Sequence, residues 1–168
     1  MISIINRQIT IKTVYVKLIG YQMKVKDILK NKRPEVFTIG EDKKISDALR
    51  ILVTNNIGVL LVLNNDAKIT GIFSERDIIK SAYNNPQNFG EITIKEIMSK
   101  KIIFVEPEDE IEYIESVMTS NRIRHLPVVE NKVLVGLISI GDIIKSLRTN
   151  KESENKYLMD YISGNLVV

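Results

Sequence analysis

The chain has 168 residues, of which 44% are hydrophobic and 27% are charged, and it contains no cysteine. This composition is typical of a globular protein with the buried core of one ordinary domain or of two small ones. The absence of cysteine excludes disulfide bonds, thiolate metal sites and a cysteine nucleophile, and it suits the reducing cytoplasm, where we expect the protein to be.

The net charge of +3 conceals a strongly basic N-terminal segment. Residues 1–33 contain eight Lys or Arg residues against one acidic residue, Asp27. We treat residues 1–23 as a basic extension, which either binds nucleic acid or an acidic partner or is only a solvated arm. The apolar runs are far shorter than the roughly 20 residues of a membrane helix, and lysine and arginine interrupt the start, so we expect neither membrane insertion nor a signal peptide.

From residue 24 onward the apolar pattern predicts alternating strands and helices. Short apolar runs predict strands over 36–39, 59–63 and 69–73. Apolar residues at helical spacing predict a helix over 45–55, and another helix follows the third strand. We assign this β-α-β-β-α unit to repeat 1, residues 24–82.

Residues 83–93 are rich in turn-forming residues and predict a linker. The same succession then returns, with strands over 102–105, 126–129 and 134–138 and a helix over 111–121. We assign residues 94–148 to repeat 2. The tail, residues 149–168, has apolar residues at helical spacing and predicts a short helix.

An eleven-residue motif occurs once in each repeat. It reads Gly-Ile-Phe-Ser-Glu-Arg-Asp-Ile-Ile-Lys-Ser at 71–81 and Gly-Leu-Ile-Ser-Ile-Gly-Asp-Ile-Ile-Lys-Ser at 136–146. A match of this length indicates an internal duplication. Because one unit of roughly 60 residues covers its small sheet poorly, we expect an α+β fold in which the two repeats pack sheet to sheet with pseudo-twofold symmetry.

The Ser and Asp of this motif allow two interpretations. Ser74 and Ser139 lie where a strand meets a helix, three residues before Asp77 and Asp142, so each pair can form a capping box, although Asp is short for the reciprocal bond. Alternatively, the helix N-terminus and the Ser hydroxyl bind a phosphate, and the Asp accepts both hydrogens of a ribose diol. The second interpretation describes a nucleoside-phosphate site, and the residues alone leave both open.

These features resemble those of the cystathionine β-synthase (CBS) domain. The resemblance rests on the β-α-β-β-α unit, on the Gly-h-h-Ser-x-x-Asp motif (h, hydrophobic) and on the segment Arg-Ile-Arg-His-Leu-Pro-Val-Val at 122–129. Two copies resemble a CBS domain pair, or Bateman module, over about residues 24–148. Members of this family bind adenosyl ligands such as AMP, ADP, ATP, S-adenosylmethionine or NAD in clefts between the repeats.

The resemblance implies roles for residues in both repeats. Ser74 and Ser139 would contact phosphate, and Asp77 and Asp142 would hold ribose. The remaining lining of the base and phosphate pockets would come from the first and second strands of each repeat, namely from Val36, Gly58, Ile102, Ile103 and Arg124.

The two repeats differ at positions that matter for such a site. Repeat 2 has Arg124 and His125 where repeat 1 has Gly58 and a valine, and repeat 1 has Arg76 where repeat 2 has a glycine. A guanidinium group suits phosphate oxygens, so the two arginines and His125 are candidate phosphate contacts. The alternatives are a packed strand residue for His125 and a solvated charge for Arg76. We expect the two clefts to bind unequally.

The sequence lacks the phosphate loops and His clusters of common catalytic and metal sites, so we expect neither an enzyme nor a catalytic cofactor nor a metal. We expect a stand-alone regulatory module that binds AMP, ADP or ATP, with a role in energy sensing, forms a homodimer and signals to an unknown client protein by conformational change. The competing hypothesis is a nucleic-acid- or protein-interaction module that acts through the basic N-terminal segment, with the Ser and Asp residues serving only as helix caps.

Overall fold

The computed structural model describes residues 22–32 and 35–163. Most of the basic N-terminal extension, residues 1–21, therefore lies outside the described residues, as do residues 164–168 of the tail. Within the described ranges the helices are α1 (Val25–Leu29), α2 (Ile45–Asn55), α3 (Glu75–Asn84), α4 (Ile94–Ile97), α5 (Ile111–Asn121) and α6 (Ile140–Ile162). The strands are β1 (Thr38–Gly40), β2 (Val59–Leu63), β3 (Ile69–Ser74), β4 (His125–Glu130) and β5 (Val133–Ser139), and a 3₁₀ turn covers Phe89–Glu91.

The α+β class and the duplicated succession of elements are confirmed. The predicted bounds of α2, β2 and α5 coincide with the observed ones, because each element carries the full apolar pattern of its type. Repeat 1 forms a three-stranded sheet in the order β1-β2-β3, with β1 parallel and β3 antiparallel to β2. Repeat 2 contributes the two-stranded pair β4-β5.

The first strand of repeat 2 is reduced to a single bridge, so the prediction of a strand over 102–105 was wrong. Val105 pairs in parallel with Val128, donating its N–H to Pro127 O at 3.1 Å and accepting from Val129 N at 2.9 Å. The next rung of a parallel ladder would need an N–H from Pro127, which proline lacks. The ladder therefore stops at Val105.

The tail does not form a separate short helix. Helix α6 runs without interruption over 23 residues, from the end of β5 to Ile162. No glycine or proline occurs between Asp142 and Ile162, so nothing in this stretch ends the helix. The side chains of Tyr157, Leu158 and Tyr161, on which the prediction of a tail helix rested, lie outside the described part.

The described chain forms two compact units that do not coincide with the two repeats. Unit 1 contains residues 22–32, 106–124 and 138–163, which include α1, α5 and α6. Unit 2 contains residues 35–105 and 125–137, which include the sheet of repeat 1 together with α2, α3 and α4. Each unit therefore combines segments of both repeats.

In unit 2 the short first helix of repeat 2, α4, contacts the start of α2 in repeat 1. Ile94 N donates to Lys43 O at 2.8 Å, and Ile45 N donates to Ile92 O at 3.0 Å. Ile94 is fully buried. It belongs to a core cluster of Ile39, Ile45, Ala48, Leu52, Leu60, Val62, Phe73, Ile94 and Met98.

Unit 1 contains the equivalent contacts with the two repeats in reversed roles, since α1 of repeat 1 contacts the start of α5 in repeat 2. Val25 N donates to Asp109 O at 3.0 Å, and Ile111 N donates to Met23 O at 2.9 Å. Val25 and Ile111 are both fully buried. The short first helix of each repeat thus packs on the helix start of the other repeat, an exchange that no local sequence pattern predicts.

Gly71, the first residue of the repeated motif, makes room for a side chain of the same unit. A Cβ atom at this position would lie 2.3 Å from Met98 Sδ and 2.8 Å from Met98 Cγ. Met98 is buried in the core cluster, so it cannot move aside cheaply. In repeat 1 the glycine therefore serves core packing.

Candidate functional site

The start of helix α3 in unit 2 is a closed capping box. Asp77 Oδ2 accepts hydrogen bonds from Ser74 N and from Ser74 Oγ, both at 2.8 Å. The backbone N–H of Asp77 points back to the Ser74 side chain. Asp is therefore long enough for the reciprocal bond, and the capping interpretation of the motif holds for this helix.

The start of helix α6 in unit 1 repeats the same geometry. Asp142 Oδ2 accepts from Ser139 N at 2.8 Å and from Ser139 Oγ at 2.6 Å. Asp142 N donates to Ser139 Oγ at 3.2 Å. Among the described residues, the Oδ1 atoms of Asp77 and Asp142 accept no hydrogen bond, so each carboxylate keeps one oxygen for a ligand.

The second strand of each repeat begins beside the corresponding helix start. Gly58 O accepts from Glu75 N at 3.2 Å in unit 2, and Arg124 O accepts from Ile140 N at 2.9 Å in unit 1. We therefore define the first site as Gly58, Ser74 and Asp77, and the second site as Arg124, Ser139 and Asp142. Each site contains the Ser, the Asp and the second-strand residue that the sequence predicted for the same repeat.

The first site carries an acidic side chain where the second site has an apolar residue. A Cβ atom at Gly58 would lie 3.2 Å from Glu75 Oε2, so the Glu75 carboxylate lies directly beside this glycine. The residue in the position of Glu75 in repeat 2 is Ile140. The two sites therefore differ in charge at the helix start.

Lys32 is a further residue of the second site, and sequence reasoning missed it. Lys32 Nζ lies 2.5 Å from Asp142 Oδ2, and both side chains are largely buried, with 30% and 22% of their surface exposed. No local pattern points to this pairing, because the two residues are 110 positions apart and Lys32 was counted with the basic segment 1–33.

Lys32 also affects the charge state of the second site. Burial by itself would raise the pKa of the Asp142 carboxyl group, but the hydrogen bonds from Lys32 and Ser139 outweigh this effect. The pKa of Asp142 consequently lies below its ordinary value. The carboxylate is ionised at neutral pH and can accept hydrogen bonds from a diol.

The remaining candidate residues are placed as follows. Val36, Ile102 and Ile103 are half-buried residues of unit 2 outside the regular strands, and His125 is the half-buried first residue of β4. Arg76 lies at an exposed position in the first turn of α3, and the Arg124 side chain is also exposed.

In the described ranges no three His, Cys, Asp or Glu side chains form a group suited to a metal ion. None of the described helices is both long enough and apolar enough to cross a membrane.

The duplicated β-α-β-β-α unit and its two Ser-Asp helix starts are the features that relate this chain to a known domain family. A family model of the CBS domain matches residues 25–84 and 94–149. The chain therefore belongs to the CBS-domain family, as the motif predicted.

Known relatives agree with this assignment. A mitochondrial CBS domain-containing protein of Arabidopsis thaliana, CBSX3, is 31% identical over 127 residues. That match covers 73% of this chain and 62% of the relative, so the chain spans less than two thirds of the relative's length. A CBS-domain containing protein from Agrobacterium tumefaciens has a similar solved structure, with a TM-score of 0.72 and 34% identity over 75% of this chain and 94% of that one.

One similar structure contains ligands. The CBS domain pair of protein MJ0100 was solved in complex with 5′-methylthioadenosine and S-adenosyl-L-methionine. It matches with a TM-score of 0.65 and 27% identity, covering 74% of this chain and 99% of that chain. Both of its ligands contain an adenosyl group.

Proposed function

We propose that this chain is a regulatory module that binds adenosine nucleotides (AMP, ADP or ATP) at the first and second sites and signals their presence to a partner protein. The observation that carries the proposal is the pair of equivalent helix starts, each with a Ser hydroxyl and an ionisable Asp that keeps Oδ1 available. The ligands of the MJ0100 domain pair support the adenosyl part of this ligand class.

The chemistry of each helix start suits a nucleoside phosphate. The backbone N–H groups and the partial positive charge at the start of α3 and α6 attract a phosphate. The Ser hydroxyl can turn from the Asp to the phosphate, and the freed Asp oxygens then accept the two ribose hydroxyl hydrogens. The capping box is thus the ligand-free arrangement of the same groups.

The signal to the partner arises because nucleotide binding is linked to the conformational equilibrium of the protein. A bound nucleotide stabilises whichever conformation binds it more tightly, and it can shift the equilibrium only by that difference in affinity. The proposal assigns the chain no catalysis of its own. The competing hypothesis, an interaction module acting through the N-terminal segment, concerns mainly residues 1–21, which lie outside the described part.

A thermal melting assay tests the proposed function. At a concentration about 100-fold above Kd, a nucleotide should stabilise the protein by about 2.7 kcal/mol, which corresponds to a rise in melting temperature of roughly 5–10 °C. The double variant Asp77→Ala with Asp142→Ala should lose this rise, because neither site can then hold ribose.

The control is Asp66→Ala, an exposed aspartate in the turn between β2 and β3, which should keep the full rise. The double variant will melt at a lower temperature without ligand, because each lost cap costs about 0.5–2 kcal/mol. The comparison therefore uses the ligand-induced increment of each variant. If AMP, ATP, S-adenosylmethionine and NAD all leave the wild-type melting curve unchanged, the proposed function is wrong.

We also propose that the protein forms a homodimer through the second isoleucine of the Asp-Ile-Ile-Lys motif. Ile79 on α3 has 70% of its surface exposed and Ile144 on α6 has 60% exposed. An isoleucine kept at an equivalent exposed position of both repeats suits contact with a second copy of the chain. The double variant Ile79→Asp with Ile144→Asp should sediment as a monomer, whereas a monomeric wild type would contradict the proposal.

A further inference from the structure

We propose that helix α1 is a positioning element of the second site and that a nucleotide bound at this site in turn keeps α1 packed. This inference rests on the proposed function, since it presupposes that the second site binds an adenosine nucleotide. It adds a regulatory consequence. Occupancy of the second site is transmitted to α1, the element to which the basic extension 1–23 is attached.

Polar contacts tie both ends of α1 to the beginning of α6. After the C-terminal end of α1, Lys32 Nζ lies 2.5 Å from Asp142 Oδ2. Before the N-terminal end of α1, Ser146 Oγ donates a hydrogen bond to Met23 Sδ at 3.0 Å. Asp142 and Ser146 are four residues apart, so both contacts fall within about one turn of α6, at the second site.

Helix α1 has two states between which a ligand can choose. In the packed state Val25 is fully buried, Ile28 is 5% exposed, and Val25 N donates to Asp109 O at 3.0 Å. The helix has only five residues, and an isolated helix of this length is not stable in water. The alternative to packing is therefore local unfolding, which costs less free energy than unfolding of the whole domain.

The ligand distinguishes the two states through Asp142. With α1 packed, hydrogen bonds from Lys32 and Ser139 hold the Asp142 carboxylate in one orientation. When α1 unfolds, the contact with Lys32 is lost and the carboxylate is oriented less firmly. A pre-organised carboxylate binds ribose at a smaller entropic cost. The nucleotide therefore binds the packed state more tightly and shifts the equilibrium toward it.

The first site has no equivalent contacts with α4, which corresponds to α1. Among the described residues, the Asp77 carboxylate accepts hydrogen bonds only from Ser74. Ser81 has the motif position of Ser146, but its hydroxyl has no hydrogen-bond partner in the described part of the chain. Helix α4 is held by its own backbone bonds and by the buried residue Ile94. A nucleotide at the first site should therefore not act on α4 selectively.

Hydrogen–deuterium exchange of the full chain, with and without saturating AMP, tests this coupling. The Asp77→Ala variant is used, so that AMP binds only at the second site. We expect AMP to slow exchange over residues 25–32 by about fivefold or more, as coupling between linked sites typically does. The effect should exceed that over residues 111–121 and 94–98, which report the general stabilisation and the behaviour of α4.

Adding Lys32→Met should abolish the excess protection of residues 25–32. It should also weaken AMP binding at the second site by about tenfold, which corresponds to the loss of one charge-assisted hydrogen bond. In the Asp142→Ala background, which leaves only the first site, the same substitution should change the affinity for AMP by less than about threefold. Titration calorimetry measures both affinities.

Ser146→Ala is a second, milder variant, because it loosens the other end of α1 without removing a contact of Asp142. It should weaken AMP binding at the second site by about threefold, as one neutral hydrogen bond allows. Ser81→Ala is the matched control at the same motif position of α3. It should leave AMP binding at the first site unchanged, since Ser81 has no partner to lose.

Equal protection of residues 25–32 and 111–121 that persists in Lys32→Met would overturn the inference, because AMP would then only raise the global stability. An equal loss of affinity at both sites in Lys32→Met would also overturn it, since the lysine would then serve general stability. Both results leave the proposed function standing. If the wild type binds no AMP, the proposed function itself fails and this inference fails with it.

Discussion

Replacement of Phe73 by alanine is expected to lower the free energy of unfolding by about 3–5 kcal/mol. Phe73 is fully buried and is one of the largest residues of the core cluster in unit 2. Its removal leaves a cavity that the surrounding strands and helices fill only in part. The melting temperature should fall by roughly 6–20 °C.

The loss should extend to the first site. Ser74 follows Phe73 directly, so the buried ring fixes the end of β3 from which the Ser side chain reaches Asp77. Thermal melting followed by circular dichroism measures the stability, and nucleotide titration in the Asp142→Ala background measures the first site.

Val53, which is exposed on α2 of the same unit, provides the control, because Val53→Ala should change the stability by no more than about 0.5 kcal/mol. A Phe73→Ala variant that melts within about 2 °C of the wild type would contradict the packing of this core.

Replacement of Ile94 by aspartate is expected to destabilise the protein by about 5 kcal/mol, enough to unfold a marginally stable domain. Ile94 is fully buried, and its backbone N–H is bonded to Lys43 O in the helix start of repeat 1. The substitution removes a packed aliphatic side chain and buries a carboxylate without a cation beside it. It therefore tests whether α4, the first helix of repeat 2, is part of the core that serves repeat 1.

Val53→Asp is the matched control, since Val53 lies on α2 in the same unit with 77% of its surface exposed. It should cost no more than about 0.5 kcal/mol. Chemical denaturation followed by intrinsic fluorescence of tyrosine measures both variants. If Ile94→Asp unfolds at the same denaturant concentration as Val53→Asp, the exchange of short helices does not contribute to stability.

The longer elements could be predicted because each of them carries its own pattern. The apolar spacing of α2 and α5 and the continuous apolar run of β2 are local signals, and the observed bounds match them. The repeated motif likewise identified both helix starts and the family. A duplicated sequence forms the same local structure twice. The elements predicted in one repeat therefore supported those predicted in the other.

Short elements could not be predicted from local pattern. Helices α1 and α4 have five and four residues, too few to show a helical period. Each is stable only because its backbone and a buried residue, Val25 or Ile94, pack on the helix start of the other repeat. Tertiary contacts of this kind leave no trace in the sequence of the segment itself.

By itself, the sequence determined the duplication, the fold class, the family and the two Ser-Asp helix starts, because all of these depend on residues close together in the chain. Only the tertiary structure decided how the two copies differ. Ser81 and Ser146 occupy the same motif position, yet Ser146 Oγ lies 3.0 Å from Met23 Sδ and Ser81 Oγ is buried without a hydrogen-bond partner in the described part of the chain. In the same way Asp142 pairs with Lys32, whereas Asp77 forms no such ion pair among the described residues. A partner 110 residues away is supplied by packing and not by the motif.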